Sequence, residues 1–197
     1  VYNIGEGWWV SYNLGMVNFY TKTGDDGSTG RLGEGRLAKN HILIEAIGSI
    51  DEASSALGLA RAQVSSTRTS EVILKIQKDL YHIMAELSAT AENAEKFRVI
   101  DAAHLAWLEE EVEHYSSFLN APREFIVPGD TLPGASLALA RTIVRRSERR
   151  VAELHQVEKF ENPIILPYLN RLSSLCFVLE LSEVQPENHS GPTLAKD

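Results

Sequence analysis

The 197-residue chain has little cysteine and a shortage of positive charge. Cys176 is its one cysteine, which excludes a disulfide-stabilised scaffold. Lysine and arginine together number 19 against 27 aspartates and glutamates, and the net charge of −8 disfavours bulk binding of nucleic acid. No apolar run approaches the roughly 18 residues of a membrane helix, and no secretory signal is recognisable. We therefore expect a reduced, cytoplasmic compartment, with no membrane and no nucleic-acid partner.

Composition divides the chain into three segments. Residues 1–15 contain two tryptophans without a clear period, and we interpret them as an added leader or an extension upstream of Met16. Residues 16–185 form the predicted domain, and residues 186–197, with two prolines and a glycine, are expected to be a loose tail. Hydrophobic residues make up 44% of the chain, enough for one domain with a substantial core.

Beyond residue 41, apolar side chains recur every three or four positions, which is the period of an amphipathic helix. This period predicts five long helices, over residues 42–64, 71–91, 101–119, 133–156 and 162–184. Asp101 is the expected N-cap of the third, Pro133 suits the first turn of the fourth, and Asn162 would cap the fifth. No region alternates as a strand does. The sequence therefore predicts an all-α, five-helix up-down bundle of the ferritin-like type.

Residues 20–40 contain five glycines and form a long loop in front of the first predicted helix. Glycines let backbone N–H groups turn towards an anion, and Lys22 and Lys39 add positive charge. The loop is not a Walker A motif, because no Gly-Lys-Ser/Thr closes it, and it lacks the alternating ligands of an EF-hand. From the pattern alone, a phosphate-binding loop and a structural loop both stay open.

An arginine-rich stretch, residues 141–150, lies on the fourth predicted helix. Arg141, Arg145 and Glu148 share one face, whereas Arg146 and Arg150 point elsewhere. A solvated, ion-paired helix face is one interpretation. A polyphosphate site is the other, because guanidinium groups bind phosphate in a bidentate manner.

The remaining candidates carry weaker signals. Residues 125–131 are an apolar stretch that indicates a buried connector, and Asn170 is ambiguous within its helix. The six histidines show no metal-ligand spacing, and Cys176 is expected to be an inert core thiol. No nucleophile–base pair is apparent, so an enzyme built on this chain would take its nucleophile from a substrate.

Several stretches together resemble the PduO-type ATP:cob(I)alamin adenosyltransferases. They are TKTGDDGSTG at 21–30, Lys39, EAIGSIDEASSALGLA at 45–60, FIVPG at 125–129, ARTIVRRSERR at 140–150 and YLNRLS at 168–173. The resemblance implies a five-helix bundle that assembles as a homotrimer with active sites between subunits. It also implies transfer of the 5′-deoxyadenosyl group of ATP to cobalt, which forms adenosylcobalamin and releases triphosphate.

The same resemblance implies roles for individual residues. The ATP contacts would be Thr21, Lys22, Thr23, Gly24, Thr29, Gly30, Lys39, Arg145, Arg146, Glu148, Arg149 and Asn170. The catalytic set would be Arg145, Glu148, Asp51 and Arg141, with the last two bridging subunits. Mg²⁺ would be held through the ATP phosphates, with Glu148 as a further candidate ligand. Phe125 matches the aromatic residue that displaces the lower axial ligand of the corrinoid, and a core phenylalanine is the alternative.

Two positions depart from the family pattern, namely Asp130 where a second glycine is common and Ser174 where aspartate is frequent. Their effect on corrinoid binding stays open. The alternative function is a non-catalytic ATP- or corrinoid-binding sensor or chaperone on the same bundle. A reductase and an enzyme that uses adenosylcobalamin are further partners that the resemblance implies.

Overall fold

The computed structural model describes residues 20–184 and 191–196, so the proposed leader 1–15 and residues 186–190 of the tail lie outside the described residues. In the described part the chain forms two short strands and six helices, which are β1 (Ser28–Gly30), β2 (Arg36–Ala38), α1 (Ile42–Arg61), α2 (Thr67–Ser88), α3 (Ala91–Phe97), α4 (Ala102–Ser116), α5 (Leu132–Val157) and α6 (Ile165–Val184).

The core lies where α1 packs against α2 and α5, and where α6 packs against α5 and α4. Ile50 and Leu57 of α1, Ile73 of α2, Val144 of α5 and Leu172 of α6 are all fully buried. These side chains recur at helical spacing, so each helix contributes one apolar face to a common interior. No helix among the described residues has the length and apolarity needed to cross a membrane.

Buried polar contacts fix the helices relative to one another. The Ser147 hydroxyl of α5 donates a hydrogen bond to the backbone oxygen of Ser49 on α1. The Tyr168 hydroxyl of α6 donates to Asp79 Oδ2 of α2 at 2.9 Å, and burial raises the pKa of this tyrosine well above its usual value. Such satisfied buried bonds set a single register between packed helices.

The predicted helix starts are confirmed at two of three places. Asp101 caps α4 by accepting hydrogen bonds from Ala103 N and His104 N, and Pro133 lies in the first turn of α5. The third is confirmed in part, because α6 begins only at Ile165 but Asn162 Oδ1 accepts a hydrogen bond from Ile164 N at 3.0 Å, as an N-cap does. Asn162 is also buried, and its side-chain amide donates to Glu86 Oε2 and to the backbone oxygen of Ile100, both at 2.9 Å.

The prediction of five helices and no strand is incomplete. α3 has seven residues and none of them is buried, so it shows no apolar period that could reveal it. β1 and β2 form an antiparallel pair inside the glycine-rich loop, with Thr29 opposite Leu37. The five predicted helices correspond to α1, α2, α4, α5 and α6, and their up-down, ferritin-like arrangement stays a prediction.

Candidate functional site

The glycine-rich loop is held in shape by a side chain that the sequence analysis did not select. Arg36 of β2 donates to the backbone oxygen of Thr23 at 2.6 Å and to the backbone oxygen and hydroxyl of Ser28 at 3.1 and 2.8 Å. Three bonds from one planar guanidinium join the start of the loop to its hairpin. The loop is therefore braced by bonds within the chain.

The first residues of the loop carry local strain. Lys22 has a φ of 62°, a left-handed conformation that costs a residue other than glycine free energy and is concentrated at functional sites. Beside it the hydroxyls of Thr21 and Thr23 lie 2.8 Å apart. Asp26 accepts bonds from the hydroxyl and backbone N–H of Ser28, and these bonds lower the pKa of its carboxyl.

The hairpin docks on the junction between α2 and α3. Leu32 N donates to the backbone oxygen of Ser88 at 3.1 Å, and Thr90 N donates back to the backbone oxygen of Leu32 at 3.0 Å. Gly33 has a φ of 129°, and a Cβ at that position would lie 2.6 Å from Thr90 Oγ1. Glycine is required here by both the backbone conformation and the close approach.

A polar pocket of about 350 Å³ lies between the loop, α1 and α5. Its lining residues are Lys39, Ile44, Glu45, Gly48, Ser49, Glu52, Arg146 and Arg150. The Lys39 ammonium also lies close to Gly24, since a Cβ on Gly24 would be 3.2 Å from Lys39 Nζ. The pocket thus continues from the loop, and Arg146 within it is paired with Glu52.

The other polar face of α5 is turned towards α6. Glu148 Oε1 accepts a hydrogen bond from Asn170 Nδ2 at 2.9 Å, and Asn170 Oδ1 accepts one from Arg171 at 2.8 Å. Glu148 makes its bond to Asn170 through Oε1, and no bond of Oε2 to another described residue is present. Arg145 and Arg149 are exposed on the neighbouring surface of the helix.

Arg141 has a partner that the sequence analysis missed. Its Nε lies 3.5 Å from Glu180 Oε2, and both atoms are buried without a hydrogen bond among the described residues. Burial raises the pKa of the Glu180 carboxyl, and Arg141 acts in the opposite direction. Asp51, predicted to face Arg141 across a subunit interface, is exposed on α1.

Phe125 lies on the loop between α4 and α5, and its side chain is 86% exposed. The alternative of a core phenylalanine is therefore wrong, and so is the expectation of a buried connector over 125–131. Cys176 is buried as predicted, and burial raises the pKa of its thiol to about 12.

The predicted residues thus fall into two groups within one chain. Thr21, Lys22, Thr23, Gly24, Thr29 and Gly30 belong to the loop, which reaches Lys39 and Arg146 at the pocket. Glu148 and Asn170 are bonded to each other away from the pocket, and Arg145 and Arg149 are exposed on α5 between this pair and Arg146. Sequence reasoning missed Arg36, Glu52 and Glu180, although the spacing of Glu45 and Glu52, two helical turns apart, could have indicated one polar face.

Comparisons with known proteins all point to one family. The family model described as cobalamin adenosyltransferase matches residues 19–183. The chain is 39% identical over 161 residues to a cobalamin adenosyltransferase of Cupriavidus metallidurans, covering 81% of this chain and 84% of that protein. It is 36% identical over 165 residues to a corrinoid adenosyltransferase of Bacillus subtilis, covering 82% of this chain and 83% of the relative.

A solved structure has the same fold. It is a phenylalanine-to-alanine variant of a PduO-type ATP:corrinoid adenosyltransferase from Lactobacillus reuteri, complexed with cobalamin and ATP. The TM-score is 0.80 at 31% sequence identity, and the match covers 91% of this chain and 100% of the other.

Proposed function

This chain belongs to the cobalamin adenosyltransferase family, and we propose that it transfers the 5′-deoxyadenosyl group of ATP to the cobalt of cob(I)alamin. Co(I) supplies the electron pair that forms the cobalt–carbon bond at C5′. The bond between C5′ and the triphosphate oxygen breaks, so that adenosylcobalamin and triphosphate are the products. The reaction needs no nucleophile from the protein, which agrees with the residues present.

The observation that carries this proposal is that one chain has both a glycine-rich loop that reaches Lys39 and an exposed arginine face on α5. We expect Lys22 and Lys39 to hold the phosphates, because the N–H groups of Thr23, Asp25, Gly27 and Ser28 already have partners within the loop. Arg145 and Arg149 offer guanidinium groups that would stabilise the charge developing on triphosphate as it leaves. Mg²⁺, when bound with ATP, would neutralise phosphate charge, and Glu148, whose carboxylate is oriented by Asn170, is the residue that we expect to contact it.

The two groups of residues support a site shared between chains. Arg145 and Arg149 lie about 100° around the helix from Arg146 and Arg150, which line the pocket beside the loop of the same chain. A neighbouring chain could bring its loop onto the Arg145 face, and a closed ring of three chains would complete three such sites. We therefore propose a homotrimer, in which the exposed Asp51 of one chain approaches Arg141 of the next.

Phe125 provides the test that separates a transferase from a sensor. Phe125 is exposed, so its ring is accessible to a corrinoid, and we expect it to displace the lower ligand. Four-coordinate Co(II) is easier to reduce. Phe125→Ala should therefore lose most activity when the assay begins with Co(II) and an added one-electron reductant, and much less when it begins with chemically reduced Co(I).

Phe118→Ala is the matched control, because Phe118 is also an exposed phenylalanine after α4, at 74% exposure. We expect that variant to resemble the wild type in both assays, and both variants to keep the ATP affinity and melting temperature. Equal losses from Co(II) and Co(I) in the Phe125 variant would reject this role. A non-catalytic sensor would bind ATP without forming product in either assay.

A further inference from the structure

The C-terminal residues 191–196, called here the strap, are bound to the loop that carries Phe125. Ala195 N donates to the backbone oxygen of Phe125 at 2.8 Å, and Val127 N donates to the backbone oxygen of Thr193 at 2.8 Å. The two bonds flank an antiparallel bridge between Ile126 and Leu194. The sequence predicts a loose tail, whereas these residues are paired with a segment more than 60 positions earlier.

Asp130 fastens the strap with both oxygens of its carboxylate. Oδ2 accepts from Thr193 N at 2.9 Å, and Oδ1 accepts from the Thr193 hydroxyl at 2.6 Å. Hydrogen bonds to an ionised carboxylate are about twice as strong as neutral ones. The preceding Gly129 has a φ of 134°, a conformation that favours glycine and turns the chain so that Asp130 reaches Thr193.

The pairing determines which way Phe125 faces. In an extended segment successive side chains point to opposite sides, so Ile126 points one way while Phe125 and Val127 point the other. Ile126 is half-buried, whereas Phe125 and Val127 are 86% and 47% exposed. A slip of one residue in the pairing would exchange these faces and turn Phe125 inward.

We propose that the strap holds Phe125 in its outward orientation, and that Asp130 and Thr193 are positioning residues for the corrinoid half of the reaction. The proposal rests on the proposed transferase function, because it needs Phe125 to contact a corrinoid. Asp130 is one of the two departures from the family pattern, and its hydrogen bonds to Thr193 explain why an aspartate is useful at this position. The ATP half of the site is made by other residues and does not depend on the strap.

The test compares three variants, Asp130→Ala, Thr193→Val and Thr193→Ser. Asp130→Ala removes both bonds to Thr193, Thr193→Val removes only the hydroxyl, and Thr193→Ser keeps both donors. We expect cob(II)alamin to bind about tenfold more weakly to Asp130→Ala in the presence of ATP, less so to Thr193→Val, and normally to Thr193→Ser. The electron paramagnetic resonance signal of four-coordinate Co(II) should decrease in the same order.

A second readout is independent of both substrates. Arg123 is exposed two residues before Phe125, so trypsin cleavage after Arg123 reports how firmly the loop is held. Cleavage should be fastest in Asp130→Ala and in a chain that ends at Gly191, and close to the wild type in Thr193→Ser. ATP affinity and melting temperature should stay unchanged in all of them.

Two results would overturn the proposed role of the strap. In the first, Asp130→Ala and Thr193→Val bind cob(II)alamin as tightly as the wild type and are cleaved by trypsin at the wild-type rate. In the second, ATP affinity, melting temperature and corrinoid affinity all fall together in these variants. Either result leaves transfer by the wild type intact. If the wild type itself formed no adenosylcobalamin, the proposed function would fail, and the cleavage rates would still decide whether the strap holds the loop.

Discussion

Neighbouring arginines on α5 have different surroundings although they lie one residue apart. Arg146 is paired with Glu52 on α1, whereas Arg145 has no ionic partner among the residues that the structure describes. The difference follows from the 100° step of the helix, which turns Arg146 to the pocket and Arg145 away from it. In a chain with a net charge of −8, this exposed positive face is where an anion is best attracted.

Arg141 gives a prediction about pH. Glu180 is buried and its pKa is raised by that burial, while Arg141 opposes the rise. In Arg141→Ala the pKa of Glu180 should rise further. Ionised Glu180 would then be a buried charge without its partner, which costs about 3–5 kcal/mol.

A raised carboxyl pKa destabilises the fold as pH increases through it, because the folded state holds the proton more tightly than the unfolded state. The loss of melting temperature in Arg141→Ala should therefore be larger at pH 8 than at pH 5. Adding Glu180→Gln to that variant should make the loss independent of pH. Equal losses of the single variant at both pH values would contradict the role assigned to this pair.

Among the elements, the β1–β2 hairpin joins the glycine-rich loop, the proposed ATP-binding segment, to the helical core. Its turn is held against the end of α2 by backbone bonds at Leu32 and by Arg31, whose guanidinium donates to the backbone oxygen of Ala89 at 2.9 Å. The hairpin also carries Thr29 and Gly30, which are two of the predicted ATP contacts. Its turn contains no predicted contact, so moving the turn should change ATP binding only through the position of the hairpin.

Gly33→Ala tests this, with Gly35→Ala as its matched control. Both glycines have positive φ, 129° and 99°, so both substitutions strain the backbone by about 1–2 kcal/mol. Only Gly33 faces a neighbour, because a Cβ there would lie 2.6 Å from Thr90 Oγ1, whereas Gly35 has open space. Gly33→Ala should weaken ATP binding, measured by calorimetry, clearly more than Gly35→Ala does. Equal weakening would show that docking of the turn is unimportant.

The sequence predicts long elements well because their apolar period repeats over many residues. α1 and α5 are placed within a few residues at each end, and the cap at Asp101 is read directly from its side chain. The hairpin and α3 are too short to show a period. Arg36, Glu180 and Asp130 act on partners selected by tertiary packing, and for Asp130 the partner Thr193 is 63 residues away.

In the whole molecule, the proposed sharing of sites between chains can be tested by complementation. Lys22→Ala and Arg145→Ala should each reduce transfer by two to three orders of magnitude, since one charge-assisted contact in the transition state is worth about 3–4 kcal/mol. Co-expression with two different tags and purification by both yields only mixed trimers. In every such trimer, one of the three interfaces has an intact Lys22 loop from one chain and an intact Arg145 from its neighbour. About one third of the wild-type rate should therefore return.

Two differently tagged Arg145→Ala chains, purified in the same way, are the control and should remain inactive. If both groups of residues acted within one chain, the mixture of Lys22→Ala and Arg145→Ala would remain inactive as well. Light scattering on the wild type would establish the number of chains independently.

The central claim, transfer of the 5′-deoxyadenosyl group, is tested most directly by mixing the wild-type chain with ATP and chemically reduced cob(I)alamin without oxygen. The absorbance of cob(I)alamin should be replaced by that of adenosylcobalamin, with one triphosphate released for each product formed. ATP that binds while cob(I)alamin remains unchanged, or that is hydrolysed without forming a cobalt–carbon bond, would contradict the claim.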